Sequence, residues 1–325
     1  MNPLTRCRVG AFGGSVLTAA VTLIAVRGAT AGYEREFVEQ SAVTIAAYLS
    51  FAAPPDRGGS DYDLAQLLIQ ARALATLLGP SRVEVYHGTA PLVHAIAAPL
   101  RPAELDRLRR EETTEWDGDA ALAPLLDREG WEVVGAVRVA RARLEVPWLA
   151  WGLPALLLIS LVFAASAAHA VGKPAAQQRA LVAYAAAALV VGCAAYMDVR
   201  AAAKRATDQW LAETRALLQE AATHAPGGLD VADVASIVRG GTLVPAAIAL
   251  RDPTPRRLNR GAVAALVVRM GAGRWAELRT RAAEAATGGW FMCTIALALL
   301  GPAGVWIAAR AARASPSLEP PPAGR

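Results

Sequence analysis

Four long apolar runs constrain this chain more than any other feature of its sequence. They cover residues 9–26, 147–171, 181–197 and 289–309. A helix needs about 20 apolar residues to cross a bilayer, and a buried helix of a soluble protein seldom stays uncharged for that length. The runs therefore predict four transmembrane helices. The third is the weakest of them, because alanine supplies most of its apolar character.

The composition agrees with a membrane protein and argues against a nucleic-acid-binding one. Hydrophobic residues make up 54% of the 325 residues, charged residues 19%, and the net charge is +5. Its arginines are scattered, whereas nucleic-acid sites concentrate positive charge on one face. Cys7, Cys193 and Cys293 form no C-x-x-C pair, so we interpret them as small apolar residues.

The four spans divide the remainder of the chain into short and long segments. Short segments carry arginine or lysine, which favours the cytoplasm, and long segments translocate largely regardless of charge. We therefore expect a multi-pass protein of the cytoplasmic membrane whose two long segments are extracytoplasmic. The predicted order is a cytoplasmic tail (1–8), the first span, an extracytoplasmic domain (27–146), the second span, a cytoplasmic loop (172–180), the third span, a second extracytoplasmic domain (198–288), the fourth span and a disordered cytoplasmic tail (310–325).

The first span has an alternative interpretation as a signal peptide. Ala29-Thr30-Ala31 has the small-x-small form of a cleavage site. We prefer a retained helix, because the third span occupies the equivalent place and must be retained.

Two parts of the chain repeat one order of elements. The first and third spans are each followed by a long helical pattern, with Phe37, Ile45, Tyr48 and Leu49 available as the apolar face of the first pattern. Trp210, Leu211, Leu217 and Leu218 are the equivalent apolar residues of the second. Both long patterns end at proline and glycine, and a short helix opened by Asp61 or Asp230 is expected next.

Strand patterns follow each short helix. SRVEVYHGTAPLVHAIA predicts a hairpin that turns at His87-Gly88, and WEVVGAVRVARAR predicts a later strand that leads into the second span. In the second copy, LVPAAIALRDP and GAVAALVVRM are the strand candidates, and RWAELRTRAAEAA reads as helical. The pattern indicates a duplication, although the two copies share few identical residues.

This order resembles the extracytoplasmic sensory domains of bacterial transmembrane receptors, of the Cache or PAS-like kind. RVEVYHGTAPLVHA is similar to the central hairpin of that family, and WEVVGAVRVA to its closing strand. The resemblance covers about residues 34–143 and, more faintly, 200–283. It implies a membrane α plus α+β fold, in which a long helix packs behind a small antiparallel sheet in each of two tandem domains. No ligand residues are carried over from the family.

Candidate chemistry is sparse. His87 and His94 lie too far apart along a ribbon rising about 3.3 Å per residue to share one metal ion, so turn and strand-face roles are preferred. The segment EETTEWDGD does not have the spacing of a calcium loop and is interpreted as a solvated acidic loop. It is expected to lie opposite the basic run RPAELDRLRR. Within that run Glu104 is expected to pair with Arg107. His169 is interpreted as interfacial. The acidic residues of the loop are Glu111, Glu112, Glu115, Asp117 and Asp119.

We therefore predict no catalytic residue, no metal site and no cofactor, leave any ligand-binding residues unassigned, and expect a protein that is not an enzyme. No nucleophile elbow, zinc-protease motif, phosphate loop or dinucleotide motif occurs.

The preferred function is a membrane-anchored sensor that passes a signal to a separate membrane or signalling protein through its spans. The alternative is a structural or accessory subunit of a transport or envelope complex. The expected partners are the lipid bilayer, another protein and, in a homodimer, a second copy of the chain.

Overall fold

The computed structural model describes the following residues: 3–52, 63–79, 82–93, 98–111, 113–127, 132–141, 145–169, 173–224, 229, 237–238, 241–245, 254–271 and 274–287. The chain divides into two compact units. One comprises residues 1–29, 145–201 and 287–325, and the other comprises residues 30–144 and 202–286. The second unit contains both predicted strand regions.

Five helices and nine strands are described. The helices are α1 (Pro3–Ala52), α2 (Leu64–Leu78), α3 (Pro102–Glu111), α4 (Trp148–His169) and α5 (Pro174–His224). The strands are β1 (Val83–His87), β2 (Ala90–Pro91), β3 (Glu115–Asp117), β4 (Ala120–Leu126), β5 (Val133–Ala140), β6 (Gly241–Pro245), β7 (Arg256–Leu258), β8 (Val263–Gly271) and β9 (Arg274–Arg281). Short 3₁₀ turns occupy Asn259–Gly261 and Ala283–Thr287.

The predicted fold class, with four transmembrane helices, is wrong. Within the described residues one helix is long and apolar enough to cross a membrane, Ala175–Thr223 of α5. It contains the third predicted run, 181–197, which the sequence ranked as the weakest. The first run lies in α1, and the structure describes only some of its side chains. The fourth run, 289–309, and the tail 310–325 lie outside the described residues.

The second predicted span lies in α4, some of whose side chains lie outside the described ones. Its described apolar stretch, Trp148–Phe163, is among the shorter apolar helices and not among those long enough to cross a membrane. Trp148 stands at the start of this run, a position typical of an indole in the headgroup layer, but it is fully buried, and its indole N–H donates to the carbonyl of Val191 at 3.1 Å. An apolar run and its tryptophan thus mark a helix–helix contact.

The α4 and α5 helices pack against each other within the first unit. The backbone N–H of Trp148 donates to the carboxylate of Asp198 at 2.8 Å, so a side chain of α5 caps the first turn of α4. Farther along, the rings of Phe163 and Tyr184 lie 4.5 Å apart. Because α5 begins at Pro174, its first two turns fall within the segment 172–180 that was predicted as a loop.

The first sheet is antiparallel, with the strand order β2-β1-β5-β4-β3. Its inner face carries Val83, Val85, Leu125, Val137 and Val139, which join one core with α1 and α2. A hairpin is present as predicted, but its turn is Gly88-Thr89 rather than His87-Gly88: Tyr86 pairs with Pro91 and His87 with Ala90, and Gly88 has φ +57°. The predicted closing strand is also confirmed, as β5.

The second sheet has the order β6-β9-β8-β7, again antiparallel. If β6, β9, β8 and β7 are matched to β1, β5, β4 and β3, the order is that of the first sheet without its edge strand β2. One backbone hydrogen bond recurs at the matching place. In the first sheet the backbone N–H of Arg141, just after β5, donates to the carbonyl of Asp119, just before β4, at 2.7 Å. In the second sheet the N–H of Ala282, just after β9, donates to the carbonyl of Ala262, just before β8, at 3.0 Å.

Two local predictions need correction. RWAELRTRAAEAA was predicted to be helical, yet Arg274–Arg281 is a strand paired with β8. Its Ala276, Leu278 and Thr280 alternate with polar residues, and burial of that face outweighs the helical propensity of the segment. The cap of α2 is Asp63, whose side chain accepts from Ala65 N at 2.9 Å; Asp61 and Asp230 lie outside the described residues.

The core of the second unit is shared by both long helices and both sheets. The apolar residues predicted for α1 (Phe37, Ile45, Tyr48, Leu49) and α5 (Trp210, Leu211, Leu217, Leu218) are all buried within it. Glu213 of α5 joins the two copies, since it pairs with Arg82 at the start of β1 and accepts from the Ser41 hydroxyl of α1 at 3.4 Å.

Candidate functional site: a pocket between α1 and β4

A pocket of about 500 Å³ lies between α1 and β4 within the second unit. This volume falls in the range of about 300–1,000 Å³ that is usual for small-molecule sites. It is lined by Glu39, Gln40, Val43, Ala46, Ala47 and Ser50 of α1, by Thr113 and Thr114 before β3, and by Ala123, Pro124 and Leu126 of β4. The site is therefore lined by a majority of apolar residues together with a few polar ones.

The pocket exists because β3 is shorter than β4. Only Ala120 to Leu122 of β4 pair with β3, so the residues that follow have a neighbouring strand on one side alone. Pro124 suits this open edge, because proline has no N–H to leave unpaired. The carbonyl of Leu126 accepts from the Ser50 hydroxyl of α1 at 3.2 Å. This edge is thus covered by a helix, and the space between helix and edge is the pocket.

The α1 helix presents a continuous face of small and polar residues to the pocket. Gln40, Val43, Ala47 and Ser50 follow one another at intervals of three or four residues, which places them on one side of a helix. The neighbouring face carries Ile45, Tyr48 and Leu49 into the core. Because alanine occupies positions 46 and 47, the helix leaves room for a ligand where larger side chains would fill it.

Glu39 is held at the polar end of the pocket by Trp116 of β3. The indole N–H of Trp116 donates to Glu39 Oε1 at 3.2 Å. The guanidinium of Arg35 lies over the face of the same indole, 5.0 Å from the ring centroid, a geometry typical of a cation–π contact. The carboxylate therefore has a fixed position and one oxygen, Oε2, that Trp116 does not occupy.

A second polar cluster lies on the opposite face of the first sheet. Arg138 of β5 contacts Glu84 of β1 at 3.4 Å and Asp117 of β3 at 3.1 Å. The hydroxyl of Tyr86 donates to Glu84 at 2.6 Å, and burial together with Glu84 raises the pKa of Tyr86. Burial lowers the pKa of Arg138, but the surrounding acids outweigh it and the net pKa is raised. Each charge in this cluster has an opposite partner, which indicates a structural role.

The structure describes only some of the histidines and acids considered in the sequence. His87 ends β1 beside the hairpin turn, and His94 lies outside the described residues, as does the side chain of His169. Within the described part of the chain, no three histidine, cysteine or acidic side chains come close enough to hold a metal ion.

The acidic segment was predicted to be a loop, and this is wrong for its centre: Glu115 to Asp117 form β3, and Gly118-Asp119 form a tight turn. Asp117 and Glu115 do face the basic run, through Arg101 at 3.2 Å and Arg107 at 3.6 Å. Glu104 pairs with Arg101 rather than with Arg107, and it also accepts from the backbone N–H of Arg101 at 2.9 Å, which caps α3.

The pocket was missed in the sequence because its two walls lie about 80 positions apart. AALAPLL, which forms β4, was not assigned to any element, since six of its seven residues are alanine or leucine and the seventh is a proline. One signal was available: the stripe Gln40, Val43, Ala47, Ser50 is too small and polar for a core face and lies beside one. Comparisons with family models, with curated proteins and with solved structures found no match.

Proposed function

We propose that this protein is a membrane-anchored sensor in which a small molecule bound between α1 and β4 shifts α1 relative to the first sheet. The observation that carries the proposal is the pocket of about 500 Å³, one wall of which is the long helix itself. In this proposal α5 crosses the cytoplasmic membrane, and residues 30–144 and 202–286 lie outside the cytoplasm.

Three features support a sensor. The α1 helix is continuous over 50 residues, so a displacement at the pocket is carried along the helix rather than lost at a loop. A long helix packs on one face of a small antiparallel sheet, which is the arrangement of the Cache or PAS-like domains that the sequence resembles. The link between the copies, Glu213 with Arg82, gives the α5 helix a contact that responds to movement of β1.

The proposal is tested by filling the pocket in the full-length protein. Ala47→Trp places a large side chain where a ligand would bind, and Ala65→Trp, on the exposed side of α2, is the matched control. Spin labels at positions 36 and 66, in a background without native cysteines, report the distance from α1 to α2. We expect Ala47→Trp to shift this distance by about 1–3 Å, the scale of helix movements in switching proteins. The milder Ala47→Leu variant gives a smaller shift of the same sign.

Identical distance distributions in Ala47→Trp, Ala65→Trp and the unsubstituted protein would rule the sensor out, provided that circular dichroism shows that all three are folded. A shift in both tryptophan variants would likewise contradict it, because a change at the far side of α2 does not touch the pocket.

A second candidate function, a structural or accessory subunit, is favoured by the outer side of α2. Ile69 and Leu77 are 55% and 48% exposed there and lie about 80° apart around the helix, so they share a face, and a shared exposed apolar face favours a protein contact. Photo-crosslinking from position 69 in cells tests it. A single crosslinked partner, whose crosslink is lost when Leu77 is substituted, supports this function. Loss of the same crosslink in the pocket-filled Ala47→Trp variant would connect this function to the sensor.

A further inference from the structure

We infer that the pocket between α1 and β4 binds a small amphipathic cation: a compact apolar body that carries one ammonium group, which Glu39 receives. This inference rests on the proposed function, because it names the class of molecule that the sensor would detect. Three observations lead to it, namely the charge of the lining, the partners of Glu39 and the apolar character of the opposite end.

The lining contains one ionisable group. Of the described residues around the pocket, Glu39 alone carries a charge, and the others are apolar residues, hydroxyls and one amide. A cavity with a single carboxylate and apolar walls has a negative potential that is poorly screened. It therefore attracts positively charged molecules and repels carboxylates.

Glu39 is pre-positioned and forms no ion pair within the described residues. Its Oε1 accepts the neutral N–H of Trp116, which fixes the carboxylate without cancelling its charge. Among the described residues no arginine or lysine forms an ion pair with it. Arg35, one turn earlier, lies instead over the Trp116 ring. A carboxylate has room for about four hydrogen bonds, so Oε2 can accept from an ammonium group.

The remainder of the pocket suits an apolar body. Val43, Ala46 and Ala47 form one wall, and Ala123, Pro124 and Leu126 form the other. At about 30 Å³ for each water-sized group, 500 Å³ holds a molecule of roughly fifteen non-hydrogen atoms. Gln40, Thr113 and Thr114 can hydrogen-bond the remaining N–H groups of a primary ammonium, which favours a primary over a quaternary amine.

The experiment compares three fluorinated probes of matched shape on the full-length protein in detergent. They are 2-(4-fluorophenyl)ethylamine, 2-(4-fluorophenyl)ethanol and 3-(4-fluorophenyl)propanoate, followed by ¹⁹F NMR titration. The pocket-filled Ala47→Trp variant is titrated in parallel, and its signal is subtracted because it contains partitioning into micelles but no pocket binding. We expect the amine to bind at least tenfold more tightly than the alcohol, and the propanoate more weakly than either.

The decisive variant is Glu39→Gln, which keeps the shape and the acceptor for Trp116 but removes the charge. It is expected to bring the amine to within about twofold of the alcohol, with binding of the alcohol unchanged. An amine preference that survives in Glu39→Gln would overturn the inference, as would a propanoate that binds as tightly as the amine in the unsubstituted protein.

These outcomes separate the two proposals. Binding of all three probes with equal affinity, abolished by Ala47→Trp, rejects the cation but retains a small-molecule sensor. If Ala47→Trp changes the binding of none of them, the cation inference fails, whereas the sensor fails only if the distance from α1 to α2 is also unchanged by Ala47→Trp.

Discussion

In the first sheet the long helix keeps an acid unpaired at a pocket, whereas in the second sheet the acids around the long helix are bound by an arginine. Glu39 of α1 meets only the indole of Trp116. In the second sheet Arg257 of β7 joins Asp208 of α5, at 2.7 Å, to Glu284 after β9. Burial lowers the pKa of Arg257, and the two acids outweigh this effect and raise it.

This difference indicates that the two copies, which share one strand order, hold their long helices with different strength. A helix held to its sheet by a paired arginine resists displacement, because separating partly buried charges costs several kcal/mol. A helix that borders a pocket can move at lower cost. The first copy also has an ion pair between its long helix and its sheet, since Glu34 of α1 contacts Arg141 after β5 at 2.5 Å. Glu34 precedes Glu39, the first pocket residue of α1, by more than one helical turn.

The largest expected effect comes from removing the arginine of the second sheet. Arg257→Met leaves Glu284, which is buried, and Asp208 without their cation, and we expect a loss of about 3–5 kcal/mol in the free energy of unfolding. Hydrogen exchange of the β7 to β9 amides in the full-length protein measures it locally. Arg141→Met is the matched change in the first sheet. A smaller effect of Arg257→Met than of Arg141→Met would contradict the stronger tie assigned to the second copy.

Neutralising one acid in each copy compares the two directly. Glu284→Gln removes a charged acceptor of Arg257 and should cost about 1.5–3 kcal/mol. Glu39→Gln keeps the bond from Trp116 and relieves an unpaired charge, so its effect should stay within about 0.5 kcal/mol. Thermal unfolding of both variants in one detergent gives the comparison. Equal losses would mean that Glu39 has a structural partner after all.

Two glycines test how tightly each sheet is packed. A β-carbon at Gly135 of β5 would lie 2.1 Å from the carbonyl oxygen of Tyr86, whereas one at Gly241 of β6 would meet only side chains, at 3.0–3.1 Å. Gly135→Ala must therefore move backbone and is expected to cost about 1–3 kcal/mol. Gly241→Ala, which only side chains need to accommodate, should cost less. Reversal of that order, measured by hydrogen exchange in each sheet, would contradict the packing described.

A pH-dependent effect concerns α3, which covers the outer face of the first sheet. Burial raises the pKa of Glu104, but its bonds with Arg101 outweigh this effect and lower the pKa below its usual value. A lowered pKa in the folded state adds stability at neutral pH that disappears as the pH falls through that pKa. Glu104→Gln should therefore cost about 1 kcal/mol at pH 7 and less at pH 3. Exchange of the α3 amides at both pH values measures this, and a cost that does not depend on pH would contradict it.

The success of sequence patterns here depended on how local each interaction is. Periodicity within one short segment predicted the apolar faces of α1 and α5, the β1–β2 hairpin and β5. The structure contains all of them. The failures are segments whose state is set by distant partners. Arg274–Arg281 has helical composition but lies between β6 and β8, and the Ala- and Leu-rich β4 gains its identity only from pairing with β5. The membrane prediction failed where a buried tryptophan, Trp148, resembled an interfacial one.

From its order of residues alone, this chain determined two long helices, their buried faces and the repeated plan of helix followed by strands, because these depend on periodicity within one segment. Tertiary structure decided which of two glutamates is paired with an arginine. Glu284 is bound by Arg257 of the second sheet, whereas in the first sheet β3 begins only at Glu115, opposite Leu122 of β4, which leaves a pocket beside Glu39.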